Sequence, residues 1–189
     1  HACQEFVALT KEVVGGDGLG LSVNLSARQL RDPTLFDTVC SAAAAAGLEL
    51  ERLTLEITES SIMEDTESAV RVLTQLRGIG VRIAIDDFGT GYSSLSLLNE
   101  IPVDTLKIDR AFVIDVATRP EPARLIRAIL TLASDFGLHT VAEGVEELEQ
   151  HLLLQALGCE ASQGFYFARP QPAAQLLDLL KRDASITTG

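Results

Sequence analysis

The chain has 189 residues, 47% of them hydrophobic and 22% charged, with a formal net charge of −12. That is enough for one domain with a substantial core, and it excludes a disordered segment or two large domains. The acidic balance excludes a protein that grips long nucleic acid through its phosphates, because that task takes an excess of Lys and Arg.

A smaller phosphate compound needs its charge neutralised by something other than the protein's bulk charge, and bound divalent cations serve that purpose. No apolar run reaches the roughly 18 residues of a membrane span, and the N-terminus lacks the basic-then-apolar pattern of a signal peptide. Cys3, Cys40 and Cys159 are odd in number and widely spaced. They fit a reducing, cytoplasmic setting with no disulfide framework or zinc ribbon. His1, His139 and His151 are equally scattered, which argues against a histidine-based metal site.

In chain order, residues 19–24 predict the first strand. Asp32 and Pro33 then read as an N-cap and first helical residue, opening a helix that runs through the alanine tract to Gly47. Residues 53–58 predict a strand, 64–77 a helix ended by Gly78, and 81–86 and 104–108 two further strands. A helix follows over 120–136, ended by Gly137, then a strand at 139–143 and a helix at 145–157. The last strand is expected at 164–168 and the last helix at 172–181. This alternation means a parallel sheet, either open or closed into a barrel.

The polar residues help to choose. Asn24, Glu56, Asp86 with Asp87, Lys107 and Glu143 all fall at or near the C-terminal ends of separate predicted strands. A (β/α)-barrel collects its active site from strand ends in this way. A doubly wound sheet concentrates it at one switch point, usually with a glycine fingerprint, and none is present. The barrel is favoured.

The most demanding feature is Ala84-Ile85-Asp86-Asp87-Phe88-Gly89-Thr90-Gly91. Neighbouring strand residues face opposite ways, so both aspartates serve one site only where the strand has ended. Packed together they repel unless a cation holds both ionised, and hard cations such as Mg²⁺ or Mn²⁺ prefer oxygen ligands. A capped turn with two solvated acids is the competing reading. Glu56, in Leu55-Glu56-Ile57-Thr58-Glu59, interrupts an apolar strand and is a ligand, a buried paired acid or a strand-end acid reaching solvent. Asn24 offers an amide oxygen or forms a turn.

Lys107, in Leu106-Lys107-Ile108-Asp109, either orients a water and stabilises phosphate charge or lies along apolar neighbours at the surface. Glu143 is a general base or water-positioning group, or an acid capping the following helix. Gln163 precedes Phe165-Tyr166-Phe167 at the near end of its expected strand, which suits a top-face site less well. Together these residues describe a pair of cations able to activate a water against a phosphodiester.

In order and type, Ser22-Val23-Asn24-Leu25-Ser26, Leu55-Glu56-Ile57-Thr58-Glu59, Asp86-Asp87-Phe88-Gly89-Thr90-Gly91-Tyr92-Ser93-Ser94, Lys107-Ile108-Asp109, Val141-Ala142-Glu143-Gly144-Val145 and Gln163-Gly164 resemble the EAL family of cyclic-di-GMP phosphodiesterases. The resemblance implies a (β/α)₈ TIM-like barrel that hydrolyses cyclic-di-GMP to linear pGpG with two Mg²⁺ or Mn²⁺ ions. It implies Asn24, Glu56, Asp86 and Asp87 as metal ligands, Lys107 as holder of the attacking water and Glu143 as base or positioner. Glu59, Gln163 and Asp109 are implied as support for the site and for the loop after Asp86-Asp87, a loop linked in the family to metal binding and dimerisation. A homodimer is expected, in a whole protein carrying sensor or GGDEF modules.

The family's Glu-Ala-Leu motif, with a further ligand glutamate, is absent from these 189 residues. A barrel of about 250 residues would leave roughly 60 outside them. The expectation is therefore one EAL domain, residues 1–189, lacking its N-terminal strands, with about six of eight strands present and bare parallel edges. The whole protein is expected to be competent, and this chain, short of one ligand, to lack normal turnover. The alternative is a catalytically inactive EAL module that binds cyclic-di-GMP or mediates dimerisation and regulation.

Overall fold

The computed structural model describes residues 1–13, 15–89 and 95–186. The Thr90–Ser94 part of the aspartate motif lies outside them. In chain order the elements are α1 (Ala2–Thr10), β1 (Leu21–Leu25), α2 (Ala27–Leu30), α3 (Leu35–Ala46), β2 (Leu53–Thr58), α4 (Glu59–Met63), α5 (Thr66–Gly78) and β3 (Arg82–Phe88). They continue with α6 (Leu95–Glu100), β4 (Thr105–Ile108), α7 (Arg110–Val113), α8 (Pro120–Asp135), β5 (His139–Ala142), α9 (Leu148–Leu157), β6 (Ala161–Ser162) and α10 (Ala173–Ile186).

The six strands form one parallel sheet in the order β1-β2-β3-β4-β5-β6. Each strand pairs with the next in the chain, so among the described residues the order never reverses and there is no switch point. Right-handed crossovers between sequential parallel strands place every connecting helix on the same face, which is the wall of a barrel. The sheet order therefore decides between the two architectures left open by strand–helix alternation.

Side-chain alternation along each strand separates the two faces. Leu53, Leu55 and Ile57 of β2, Ile83 and Ile85 of β3, and Leu106 and Ile108 of β4 are buried and join one apolar cluster. The same cluster includes Leu73 and Leu76 of α5, Ile126 and Ile129 of α8, and Leu154 of α9. Truncating one of these, such as Ile85→Ala, removes about 2–5 kcal/mol through lost burial and the cavity left behind. The opposite face carries Asn24, Glu56, Asp86 and Lys107. One side of the sheet holds the fold together and the other is left for chemistry.

Among the expected boundaries that move, three have a clear local cause. The α3 helix starts at Leu35, because the Asp32 carboxylate accepts from the Thr34 amide (2.8 Å) and hydroxyl (2.7 Å) in a local turn instead of capping a helix at Pro33. The α9 helix starts at Leu148, not 145, behind a capping box between Glu147 and Gln150. The last strand is Ala161–Ser162, not 164–168. The Phe165-Tyr166-Phe167 run instead turns back, with the Tyr166 amide donating to Val145 O (3.0 Å) and the Phe167 amide to Gly164 O (3.1 Å).

Candidate active site

The site is assembled by strand register. Asn24 of β1 stands opposite Glu56 of β2, and Thr58 of β2 opposite Asp86 of β3. Between β3 and β4 the register slips: Ile85 pairs with Leu106 and Phe88 with Ile108, so two residues, Asp86 and Asp87, face the single Lys107. That is a β-bulge. It corrects the expectation that both aspartates reach one site because the strand has ended, since β3 continues through Phe88. The bulge rotates Asp87 into a left-handed conformation (φ 54°), which aspartate tolerates better than most residues.

Lys107 is buried, and its Nζ lies 2.7 Å from Glu56 Oε2, 3.1 Å from Asp86 Oδ1 and 2.6 Å from Glu143 Oε1. One ammonium thus holds carboxylates from three other segments of the sheet. Burial alone would pull its pKa down, but the hydrogen bonds and charges of Glu143 and Glu56 carry it above the usual lysine range. The reading of Lys107 as a surface lysine is excluded.

Glu143 directly follows β5. Its pKa is raised, chiefly by burial, with the Lys107 contact offsetting part of that rise. Asp87 is also raised, by burial, by a hydrogen bond with Asp109 and by the charge of Asp86. Carboxylate oxygens of Asp86, Asp87 and Glu143 lie within 4.8 Å of one another. A cluster of crowded acids, of which Asp87 and Glu143 have elevated proton affinity, is a donor set suited to hard divalent cations, which relieve the repulsion that protons otherwise relieve. The residues present therefore fit the cations expected from the sequence, with Glu56 beside them on Lys107 and Asn24 opposite Glu56 in register.

The remaining expected residues take supporting places. Glu59 is buried at the first position of α4, directly after β2. Asp109 caps α7, accepting from the Ala111 amide at 2.7 Å, and touches Asp87. Gln163 follows the end of β6; its amide donates to Ala142 O (2.8 Å) and its carbonyl accepts from Val145 (3.0 Å). Moving the strand to Ala161–Ser162 puts Gln163 at its C-terminal end, which corrects the poor fit expected from the sequence. Gln163, Glu143, Arg110, Glu146 and Phe165 line a cavity of about 230 Å³ beside the carboxylates. Arg110 and Glu146 are absent from the sequence-based set, although Arg110 adjoins the Lys107-Ile108-Asp109 motif.

Fold and site define a class: a TIM-barrel-like α/β protein with a carboxylate–lysine cluster at the C-terminal strand ends, suited to divalent cations. The chain belongs to the EAL domain family, whose model matches residues 1–170. Over 157 residues it is 46% identical to a Pseudomonas aeruginosa protein, the bifunctional diguanylate cyclase/cyclic di-GMP phosphodiesterase MucR, covering 83% of this chain and 23% of MucR. Its first curated relatives are likewise far longer, the chain spanning 22% and 29% of two of them.

The solved MucR phosphodiesterase in complex with c-di-GMP is 43% identical with a TM-score of 0.85, covering 93% of this chain and 70% of that one. The EAL domain of Mycobacterium smegmatis DcpA is 42% identical with a TM-score of 0.90, covering 96% and 81%. Klebsiella pneumoniae BlrP1, solved with manganese and c-di-GMP, is 32% identical with a TM-score of 0.79, covering 89% and 43%. Divalent metal and cyclic di-GMP thus occur together in a structural neighbour of this chain. Among the described residues no helix is long and apolar enough to cross a membrane.

Proposed function

We propose that the whole protein to which this chain belongs hydrolyses a phosphodiester bond of cyclic di-GMP to give linear pGpG, at a divalent-cation site built in part on Asn24, Glu56, Asp86 and Asp87. The observation that carries the reading is Lys107 Nζ held by Glu56, Asp86 and Glu143, in a member of a family whose relative MucR is named for this activity.

A pair of Mg²⁺ or Mn²⁺ ions held there supplies positive charge to the phosphoryl group and acidifies water. Lys107 orients the attacking water and keeps Glu56 and Glu143 aimed at it. Glu143, whose burial favours its protonated form, takes the proton as the water oxygen bonds to phosphorus. The bond from phosphorus to the ribose 3′-oxygen breaks, and that oxygen takes a proton from solvent as it leaves, which gives pGpG with a 5′-phosphate. Asp109 and Glu59 hold Asp87 and the base of the following loop, and Gln163, just after β6, supports Glu143 across the cavity that both line.

Residues 1–189 are read as part of a single EAL barrel acting as a homodimer in the cytoplasm, within a longer protein carrying sensor or GGDEF modules. Light scattering on the purified protein tests the dimer. The activity is tested by incubating the whole protein with cyclic di-GMP in Mn²⁺, in Mg²⁺ and in chelator, with Asp86→Asn alongside, the 189 residues by themselves being expected to turn over poorly. The expected result is pGpG only with metal and with Asp86 intact. Turnover that survives chelation, or no pGpG in either metal, would sink the reading.

A further inference from the structure

Glu143 stands on the segment 143–147 that joins β5 to α9, and this segment is tied to α7 at two points. On the inner side, Gln150 of α9 is 5% exposed. Its Oε1 accepts from the Glu146 amide at 2.8 Å and the Glu147 amide at 3.1 Å, while its Nε2 donates to the carbonyl of Ile114 at 3.1 Å. Three of the amide's four hydrogen-bonding directions are thereby used. On the outer side, Arg110 Nη2 donates to Glu146 Oε1 at 2.8 Å. Between them Gly144 adopts φ +69°, and a β-carbon there would fall 2.2 Å from Arg110 Cγ. The arginine stem therefore lies flat on the backbone next to Glu143, in space that only glycine leaves open.

Both ties end on the segment that immediately follows Lys107: Arg110 opens α7 and Ile114 closes it. The same short stretch thus carries the lysine and grips the loop bearing its glutamate. We propose that Arg110 and Gln150 are positioning residues that clasp the 143–147 segment to α7 and fix the Glu143 carboxylate against Lys107 Nζ. This inference rests on the phosphodiesterase reading for its catalytic consequence. Neither residue touches reacting atoms. The Arg110–Glu146 pair is about half exposed on both sides, and such a pair contributes little to stability. A catalytic carboxylate displaced by about 1 Å, by contrast, costs on the order of a hundredfold in rate. Positioning outweighs stability at this contact.

The test uses Arg110→Ala, Gln150→Leu and the charge-swapped pair Arg110→Glu with Glu146→Arg, each measured for kcat and KM with cyclic di-GMP and Mn²⁺, and for amide hydrogen exchange over 143–150. Arg110→Ala is expected to lower kcat about tenfold with KM changed less than about twofold, and the charge-swapped pair to recover most of that loss. Gln150→Leu is expected to open the Glu146 and Glu147 amides to fast exchange and to lower kcat at least as far. If Gln150→Leu fails to fold, the surface variant Arg110→Ala decides alone. An unchanged kcat in Arg110→Ala, or a loss the swapped pair does not recover, overturns the clasp. Should the unaltered protein show no turnover, the phosphodiesterase reading falls separately. Exchange over 143–147 then decides the clasp: faster in Arg110→Ala supports it, unchanged overturns it.

Discussion

Replacing Lys107 by methionine is the sharpest perturbation the site allows. Methionine keeps most of the unbranched stem and deletes the charge that Glu56, Asp86 and Glu143 share at 2.7, 3.1 and 2.6 Å. Breaking a buried ion pair by removing one partner costs about 3–5 kcal/mol, because the charge left behind is uncompensated. In a domain of this size each kcal/mol moves Tm by about 2–4 °C, so the variant should melt on the order of 10 °C lower in chelator. The direction with pH follows from linkage. Lys107 in the unaltered protein has a raised pKa, so its contribution is present at every pH below the ordinary lysine value.

In the variant, the acids freed of their cation bind protons more tightly folded than unfolded. Its stability then falls as pH rises through the ordinary carboxylate range, and the gap to the unaltered protein should narrow between about pH 8 and about pH 5. Mn²⁺ should recover part of the loss by replacing the missing charge. The assay is thermal melting at both pH values with chelator and with Mn²⁺. A variant that melts within about 2 °C of the unaltered protein in chelator at the higher pH would refute the shared-cation reading.

Asp87→Asn removes a carboxylate that burial, Asp109 and Asp86 all push toward its protonated form. The variant should melt higher in chelator and gain less from Mn²⁺ than the unaltered protein does, as differential scanning would read; a larger gain would contradict the ligand assignment. Gly164→Ala would place a β-carbon 2.1 Å from the Val145 carbonyl oxygen and 2.3 Å from its nitrogen. Backbone must move next to Glu143, so turnover should fall about 10- to 100-fold, and an unchanged rate would show that the loop tolerates the shift. Cys159 is buried, with its thiol donating to Ala161 O at 3.2 Å, and burial raises its pKa. The folded state therefore holds that proton more tightly, and its stability should decline as pH rises above the ordinary thiol value. Half-buried Cys3 and Cys40 should react first with a disulfide reagent, and modification of Cys159 ahead of them would refute the burial account.

Much of this arrangement was legible from residue order because each polar residue interrupts an apolar strand. Lys107 between Leu106 and Ile108, and Glu56 between Leu55 and Ile57, keep the period-two alternation that sets them on the face opposite the apolar cluster, while their burial there is seen only in the structure. What residue order could not carry was register. The bulge that sets Asp86 and Asp87 against Lys107 is a property of the β3–β4 pairing, and the strand pattern of β3 reads the same with or without it. The missed sixth strand has a different cause. Phe165, Tyr166 and Phe167 have high strand propensity, but that propensity measures fit to a half-buried pleated surface. Here the three side chains are 46%, 41% and 47% exposed, and the strand is the inconspicuous Ala161–Ser162.

Lys107 also explains how a chain of net charge −12 keeps four acids near one point of a sheet. Its ammonium satisfies Glu56, Asp86 and Glu143 directly, while Asp87 leans on Asp109 at higher proton affinity. Cations entering this cluster must therefore compete with a lysine for Asp86 and Glu56 and with a proton for Asp87. Competition with the proton weakens as pH rises, whereas competition with Lys107 persists across the neutral range, because the lysine's pKa is raised above its ordinary value. Metal affinity should accordingly climb with pH only until Asp87 and Glu143 are ionised and then level off. A continued climb into the lysine range would mean that Lys107, and not Asp87, is the group the metal displaces.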